Sequence, residues 1–152
     1  MTPARWAIVT LVGLTIGCSS GDEPGSDASV EGIEVVDAWT RPSPATVTDA
    51  ALYVSVDNLG GAADEIVAVG SERCVTVVPH VTDFDDDGIA SMTAVGDALK
   101  LPAAGSIVME PNGLHLMCLG IDAPFAEGDT VAVDLEFAEF GPVVVSVAVE
   151  NR

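Results

Sequence analysis

From residue 33 onward, apolar and polar positions alternate along short runs of the chain, and this is the period of a half-buried β-strand. Residues 131–137 (VAVDLEF) show the alternation most clearly. Turn-forming residues separate the runs, as at 58–61 (NLGG) and 111–113 (PNG), and no run has the period of an amphipathic helix. The pattern predicts short strands at residues 33–39, 50–57, 65–69, 74–81, 89–95, 106–110, 114–119, 130–138 and 142–149. Such a series of short strands and turns is typical of an all-β Greek-key sandwich or barrel.

Length and composition agree with a single domain of this class. The chain has 152 residues, of which 49% are hydrophobic, and it contains 15 glycines. This is enough apolar material for one sizeable core, and no internal repeat or second domain is evident. The sequence is therefore not a disordered acidic segment.

The charge excludes two classes of partner. The formal net charge is −19, from 24 acidic and 5 basic residues. Phosphate contacts need lysine and arginine, so we expect no nucleic-acid binding and no docking of the folded surface on anionic lipid.

The first 32 residues predict an export signal and a tether. A single positive charge precedes an apolar run at 7–17, which is too short to span a bilayer, and Cys18 follows. Cys18 resembles the lipidated cysteine of a bacterial lipobox, although Thr15 stands where leucine is usual; cleavage nearby, releasing a soluble protein, is the alternative. Residues 19–32 are rich in glycine, serine and acid, so we interpret 1–18 as the signal, 19–32 as a flexible tether and 33–152 as the domain. The protein is expected to be exported, periplasmic or extracellular, and held at the outer face of the cytoplasmic membrane by a lipid anchor only.

Histidine and methionine are scarce, and four of them form a pattern. His80 is followed after eleven residues by Met92, and after twenty-two more by His115-Leu116-Met117. His115 and Met117 share one face of a strand, close to the turn at 111–113. Thioethers together with imidazoles favour Cu(I), although each residue alone is more often core filler or surface.

These residues resemble the signature of the periplasmic copper chaperone family PCuAC. Segments 37–45 (DAWTRPSPA), 50–61 (AALYVSVDNLGG), 101–117 and 127–149 are also similar to family segments, so the resemblance covers about residues 33–150. It implies a cupredoxin-like β domain with His80, Met92, His115 and Met117 as ligands of one Cu(I). Val81 replaces a methionine found in many members, and Met109 falls at a core position. The resemblance further implies copper delivery to the CuA centre of cytochrome c oxidase, with Sco-type proteins as possible partners, by a monomer.

Two cysteines lie in the predicted domain. Cys118 follows Met117 and so faces away from the ligand side of its strand, and we expect a disulfide between Cys74 and Cys118. Two buried free thiols are one alternative. A blue-copper electron carrier is another, although Cys118 comes after the His and Met ligands rather than before them.

Other functions find less support in the sequence. Residues 83–88 (DFDDDG) match the start of a calcium loop, but Ala94 occupies the position of the final glutamate, so we interpret them as a solvated acidic turn. No catalytic motif is found, and we expect no enzyme. A metal-free β-sandwich that acts as an interaction module is the rival hypothesis from another class.

Overall fold

A computed structural model describes residues 32–96 and 98–152. The predicted export signal, Cys18 and nearly all of the predicted tether lie outside the described residues. Among those that are described, no helix is long and apolar enough to cross a membrane.

The described chain forms ten β-strands and confirms the predicted all-β class. They are β1 Ile33–Thr40, β2 Asp49–Asn58, β3 Asp64–Gly70, β4 Cys74–Phe84, β5 Ala90–Ala94, β6 Leu99–Leu101, β7 Ser106–Ile107, β8 Leu114–Ile121, β9 Thr130–Phe137 and β10 Gly141–Val149.

The strands follow one hydrogen-bonded path in the order β5-β4-β8-β2-β1-β10-β9-β3-β6, with β7 paired to β2. The β1–β10 pair is parallel, and every other pair along the path is antiparallel. Apolar side chains from both halves of the path, such as Leu52 and Leu116 on one and Val133 and Val145 on the other, belong to one buried cluster. The sheet therefore folds over on itself into a sandwich, with the core between its two layers.

Two strand predictions differ from the structure. In the run at 106–110, only the two residues of β7 pair with another strand. The backbone of Met109 bonds to the Ser55 side chain instead, because the Ser55 hydroxyl accepts the Met109 N–H at 3.0 Å and donates to the Met109 carbonyl at 3.4 Å. β6 was not predicted, because its three residues are too few to show a period, although Leu99 and Leu101 are both buried.

The hairpin of β4 and β5 forms one end of the sheet. Pro79 lies within β4, where it can accept but not donate a hydrogen bond, and its carbonyl accepts the N–H of Val95 at 2.9 Å. Pro79 faces Val95, which lies just beyond Ala94, the last residue of β5, so the missing N–H of Pro79 removes no hydrogen bond to β5 itself. The strands β5, β4 and β8 therefore lie side by side at this end, and they carry all four predicted ligands.

Candidate metal site

Strand register places the two histidines directly opposite each other. In the antiparallel pair of β4 and β8, His80 is the partner of His115 and Val78 is the partner of Met117. Directly opposed residues in a β-ladder project from the same face of the sheet. The two imidazole rings are stacked, with centroids 6.1 Å apart and planes inclined by 23°. His80, His115 and Met117 therefore share one face of these two strands.

Met92 projects from the same face, from the strand on the other side of His80. It is the partner of Thr82 in β5, and Thr82 is two residues from His80 along β4. Because side chains two residues apart in a strand point the same way, Met92 lies on the face that carries the histidines. The register therefore brings all four predicted ligands to one face of three adjacent strands.

The four side chains differ strongly in exposure. His115 is 2% exposed, whereas Met92 at the sheet edge is 60% exposed. His80 and Met117 have intermediate exposure. The face thus has a buried side at β8 and an open side at β5.

Backbone carbonyls fix the tautomer of each neutral imidazole ring. Nδ1 of His115 lies 2.9 Å from the carbonyl oxygen of Gly113, and Nδ1 of His80 lies 3.1 Å from that of Val78. A carbonyl oxygen can only accept, so each Nδ1 carries the proton and donates it. In the neutral ring, Nε2 then holds a free lone pair, and this is how a second-shell carbonyl orients a metal-binding histidine.

Nε2 of His115 is buried and has no hydrogen-bond partner among the described residues. A buried polar atom without a partner costs about 1–3 kcal/mol, so such atoms are rare and demand an explanation. A ligand bound at this nitrogen is one such explanation. The chemistry of the neighbouring donors fits a soft ion, because they are an imidazole and thioether sulfurs.

The turn before β8 supplies the carbonyl that holds His115. Asn112 has a φ of 66°, in the left-handed region that asparagine tolerates better than most residues. The Gly113 carbonyl accepts the N–H of Thr82 at 3.2 Å in addition to Nδ1 of His115. This turn therefore ties the histidine on β8 to the strand that carries His80.

Two aromatic residues beside the histidines were not predicted from the sequence. The ring centroid of Tyr53 lies 6.3 Å from that of His115, and the ring of Trp39 lies 4.6 Å from Tyr53. The guanidinium groups of Arg41 and Arg152 lie over the Trp39 ring, at 5.7 and 5.0 Å. Burial raises the pKa of Tyr53, against a smaller opposing effect of Arg41. These rings form an apolar wall on the buried side of the site, and only strand register reveals it.

The structure joins Cys74 and Cys118 by a disulfide, with Cα atoms 5.4 Å apart. Cys118 pairs with Val77 in the ladder and is fully buried in the core, on the face opposite to Met117. The bond links the same two strands that carry His80 and His115. A bonded Cys118 offers no thiolate, which a blue-copper site requires.

Harder donors do not assemble elsewhere in the described chain. No three His, Cys, Asp or Glu side chains cluster there in a way that could hold a metal ion. In the acidic turn, Oδ1 of Asp85 accepts the N–H groups of Asp87 and Ile89, so this carboxylate is used within the turn itself.

A sequence model of the LpqE-like family, described as "Putative lipoprotein LpqE-like", matches residues 33–149. The chain belongs to this family. One relative is "Putative lipoprotein Lxx21020" of Leifsonia xyli subsp. xyli, which is 28% identical over 146 residues and covers 93% of this chain and 84% of its own.

Solved structures show the same fold and confirm the resemblance to PCuAC domains. The copper-bound PCuAC domain from PmoF2 is 26% identical with a TM-score of 0.67, over 82% of this chain and 97% of that domain. Apo-DR1885 from Deinococcus radiodurans is 19% identical with a TM-score of 0.61, over 97% of both chains, and supports the fold alone. The predicted cupredoxin-like β-sandwich is confirmed, and the PmoF2 domain that shares it was solved with copper bound.

Proposed function

We propose that the domain binds one Cu(I) through His80, Met92, His115 and Met117. The observation that carries the proposal is the buried Nε2 of His115, which has no partner among the described residues and lies opposite His80. The copper-bound state of the PmoF2 domain supports the choice of metal, and the thioether donors of Met92 and Met117 favour the Cu(I) state.

The donor set suits a chaperone that must both hold and release copper. Neutral thioethers and imidazoles favour Cu(I) over harder ions, and only the imidazoles compete with protons for it. No thiolate is needed, which is an advantage in an oxidising compartment.

The gradient of exposure suggests the order of exchange. His115 is almost fully buried, whereas Met92 stands at the open edge. An incoming ligand would replace Met92 first and the buried His115 last, so that copper is never free in solution. We propose that the acceptor is the CuA site of cytochrome c oxidase, alone or with Sco-type proteins, as the family resemblance implies.

We further propose that Cys18 carries a lipid anchor. The LpqE-like family and the Leifsonia relative are both described as lipoproteins, which supports this location. The protein would then face the exterior from the outer side of the cytoplasmic membrane and act there as a monomer.

Anaerobic competition titration tests the copper proposal. Cu(I) is shared between the protein and a coloured chelator, for the wild type, Met117→Leu and the matched control Met109→Leu. Met109 is a buried methionine whose backbone is bonded to Ser55, so this control removes a thioether outside the proposed site. We expect one Cu(I) per protein. Met117→Leu should weaken the Cu(I) affinity at least about tenfold, or roughly 1.4 kcal/mol, and Met109→Leu should leave it unchanged. Absence of stoichiometric binding would favour the metal-free interaction module.

A further inference from the structure

Strand β5 leaves one edge of the sheet open, next to the proposed copper site. It ends the strand order and pairs only with β4 within the part of the chain that the structure describes. All five of its residues are exposed, and none of them is charged or proline. Natural sheets usually protect an edge with charge, proline, a bulge or a covering loop, and β5 itself shows none of the first three.

The ladder pattern identifies which backbone groups are free. The N–H of Val95 donates to the carbonyl of Pro79, and the N–H of Asp85 donates to that of Ile89. Counted from these two pairs, every second residue pair of the ladder between β4 and β5 is hydrogen-bonded. Ser91 and Thr93 therefore direct their N–H and C=O groups toward β4, as an antiparallel ladder requires. The N–H and C=O groups of Ala90, Met92 and Ala94 point away from the sheet. Met92 thus offers a thioether on the copper face and an unpaired backbone on the edge.

The surroundings of the edge indicate the chemistry of an occupant. Three apolar side chains near it, those of Phe84, Ile89 and Met92, are 55%, 65% and 60% exposed. The carboxylates of Asp83, near the end of β4, and of Asp86 and Asp87, in the adjoining turn, make no ion pair or hydrogen bond within the described residues.

Among the residues that the structure describes, no lysine or arginine is free to neutralise this turn. The basic side chains are engaged elsewhere: Arg73 with Asp122, Lys100 with Glu65, Arg152 with Asp37 and Glu150, and Arg41 over Trp39. A second copy of this chain would bring a further net charge of −19 and the same acidic turn, so like-charge repulsion opposes it. Charge complementarity favours a basic partner.

We propose that β5 is a docking edge on which the copper-receiving protein adds an extended strand that carries lysine or arginine. Main-chain hydrogen bonds to Ala90, Met92 and Ala94 would hold the strand, and the acidic turn would fix its position. This rests on the proposed function, since it names the class of partner to which copper is transferred. Strand addition would place the acceptor beside Met92, the most exposed of the proposed ligands.

Amide hydrogen exchange on the apo protein tests this proposal with a defined probe, a soluble peptide of alternating valine and lysine. The same peptide with glutamate in place of lysine is the control. We expect the basic peptide to slow exchange at Ala90, Met92 and Ala94 by at least about tenfold and to leave the inward amides of Ser91 and Thr93 unchanged, because only the outward groups gain partners. No protection by the basic peptide, or equal protection by the acidic one, would overturn the proposal.

Two variants distinguish the contribution of the backbone hydrogen bonds to peptide binding from that of the acidic charge. Ala94→Pro removes an outward N–H and should weaken binding of the basic peptide about tenfold. Asp86→Asn with Asp87→Asn should weaken it about two- to fivefold per carboxylate without touching the strand. Asp134→Asn with Glu136→Asn, on the distant strand β9, should have no effect. Protection that appears without peptide and rises with protein concentration would show self-association and contradict the proposal.

A Cu(I) titration of the same preparation separates the two proposals. If copper binds but the edge amides are not protected, the docking proposal fails and the copper proposal stands. If the amides are protected but copper does not bind, the edge is an interaction surface and its assignment to a copper acceptor is wrong.

Discussion

At the scale of single residues, His115 has the most constrained role in the site. Its Nδ1 is held by the Gly113 carbonyl, while its buried Nε2 has no partner among the described residues. In the absence of metal, this nitrogen destabilises the fold, because it has lost its hydrogen bonds to water without replacement. Residues kept for binding often carry such a cost in stability.

Replacing this residue should therefore separate stability from binding. His115→Leu removes the unpaired nitrogen, and the Gly113 carbonyl keeps the N–H of Thr82 as a donor. We expect the apo variant to be as stable as the wild type or more stable by about 1 kcal/mol in urea unfolding, and to have lost tight Cu(I) binding. A variant destabilised by about 3 kcal/mol or more would show that the imidazole is mainly structural.

Of the four ligand positions, only His115 and Met117 could be grouped from local spacing, whereas His80 and Met92 were joined to them by the scarcity of these residue types and by the resemblance to PCuAC. Period two alone places His115 and Met117 on one face. The neighbours Tyr53 and Trp39 could not be found in this way, because their place beside His115 depends on pairing between strands distant in the chain. The carbonyl that fixes the tautomer of each ring also becomes visible only in three dimensions.

At the scale of elements, a disulfide and a carboxylate each tie together segments that are distant in the chain. The disulfide joins β4 to β8, closing a loop with a sequence separation of 44. Asp64, at the start of β3, accepts the N–H groups of Glu139 and Phe140 in the turn between β9 and β10. Both features act mainly on stability and only indirectly on the site.

Reduction of the disulfide should lower the stability of the apo domain. For a loop of this length the chain-entropy estimate is about 4 kcal/mol, because the unfolded chain regains conformational freedom. Urea unfolding of the oxidised and the reduced protein, followed by circular dichroism, measures the difference. Equal midpoints in the two states would contradict this role of the bond.

The Asp64 carboxylate should make stability depend on pH. Burial acts to raise its pKa, but hydrogen bonds from the N–H groups of Glu65, Phe140 and Glu139 outweigh burial, so the pKa lies below its ordinary value. This contribution is fully present above the unfolded pKa and is lost as the pH falls through the lower folded pKa. Asp64→Asn should cost about 2 kcal/mol at neutral pH and should lose less stability than the wild type as the pH falls below about 4. If the free energies of unfolding of the wild type and of Asp64→Asn in urea fall in parallel with pH, the Asp64 carboxylate does not cause the pH dependence.

Most strands could be predicted because alternation marks one buried face, as in β9 and β10. The segment 106–110 shows the limit of this signal. Its burial alternates as in a strand, with Ile107 and Met109 buried, but the Ser55 hydroxyl takes the backbone of Met109 out of any ladder. Periodicity reports burial and does not reveal which hydrogen-bond partner a backbone group finds.

At the scale of the whole molecule, the charge of −19 affects stability more than copper binding. The proposed ligands are neutral when bound, and the few basic side chains of the domain are already engaged with carboxylates or aromatic rings. Repulsion among the remaining carboxylates destabilises the compact state.

Salt should therefore stabilise the apo domain. Screening shortens the range of repulsion from about 30 Å at 0.01 M salt to about 8 Å at 0.15 M. We expect the Tm to rise as sodium chloride is added over this range, with potassium chloride giving the same result. A Tm that stays constant or falls in calorimetry would contradict a net repulsive surface.

The ligand set is the central claim, and X-ray absorption at the copper edge of the Cu(I)-loaded protein tests it most directly. We predict a Cu(I) edge with two nitrogen and two sulfur neighbours for the wild type and for Met109→Leu, and one sulfur fewer for Met117→Leu. Coordination by oxygen and nitrogen alone, or a sulfur count that Met117→Leu does not change, would contradict the claim.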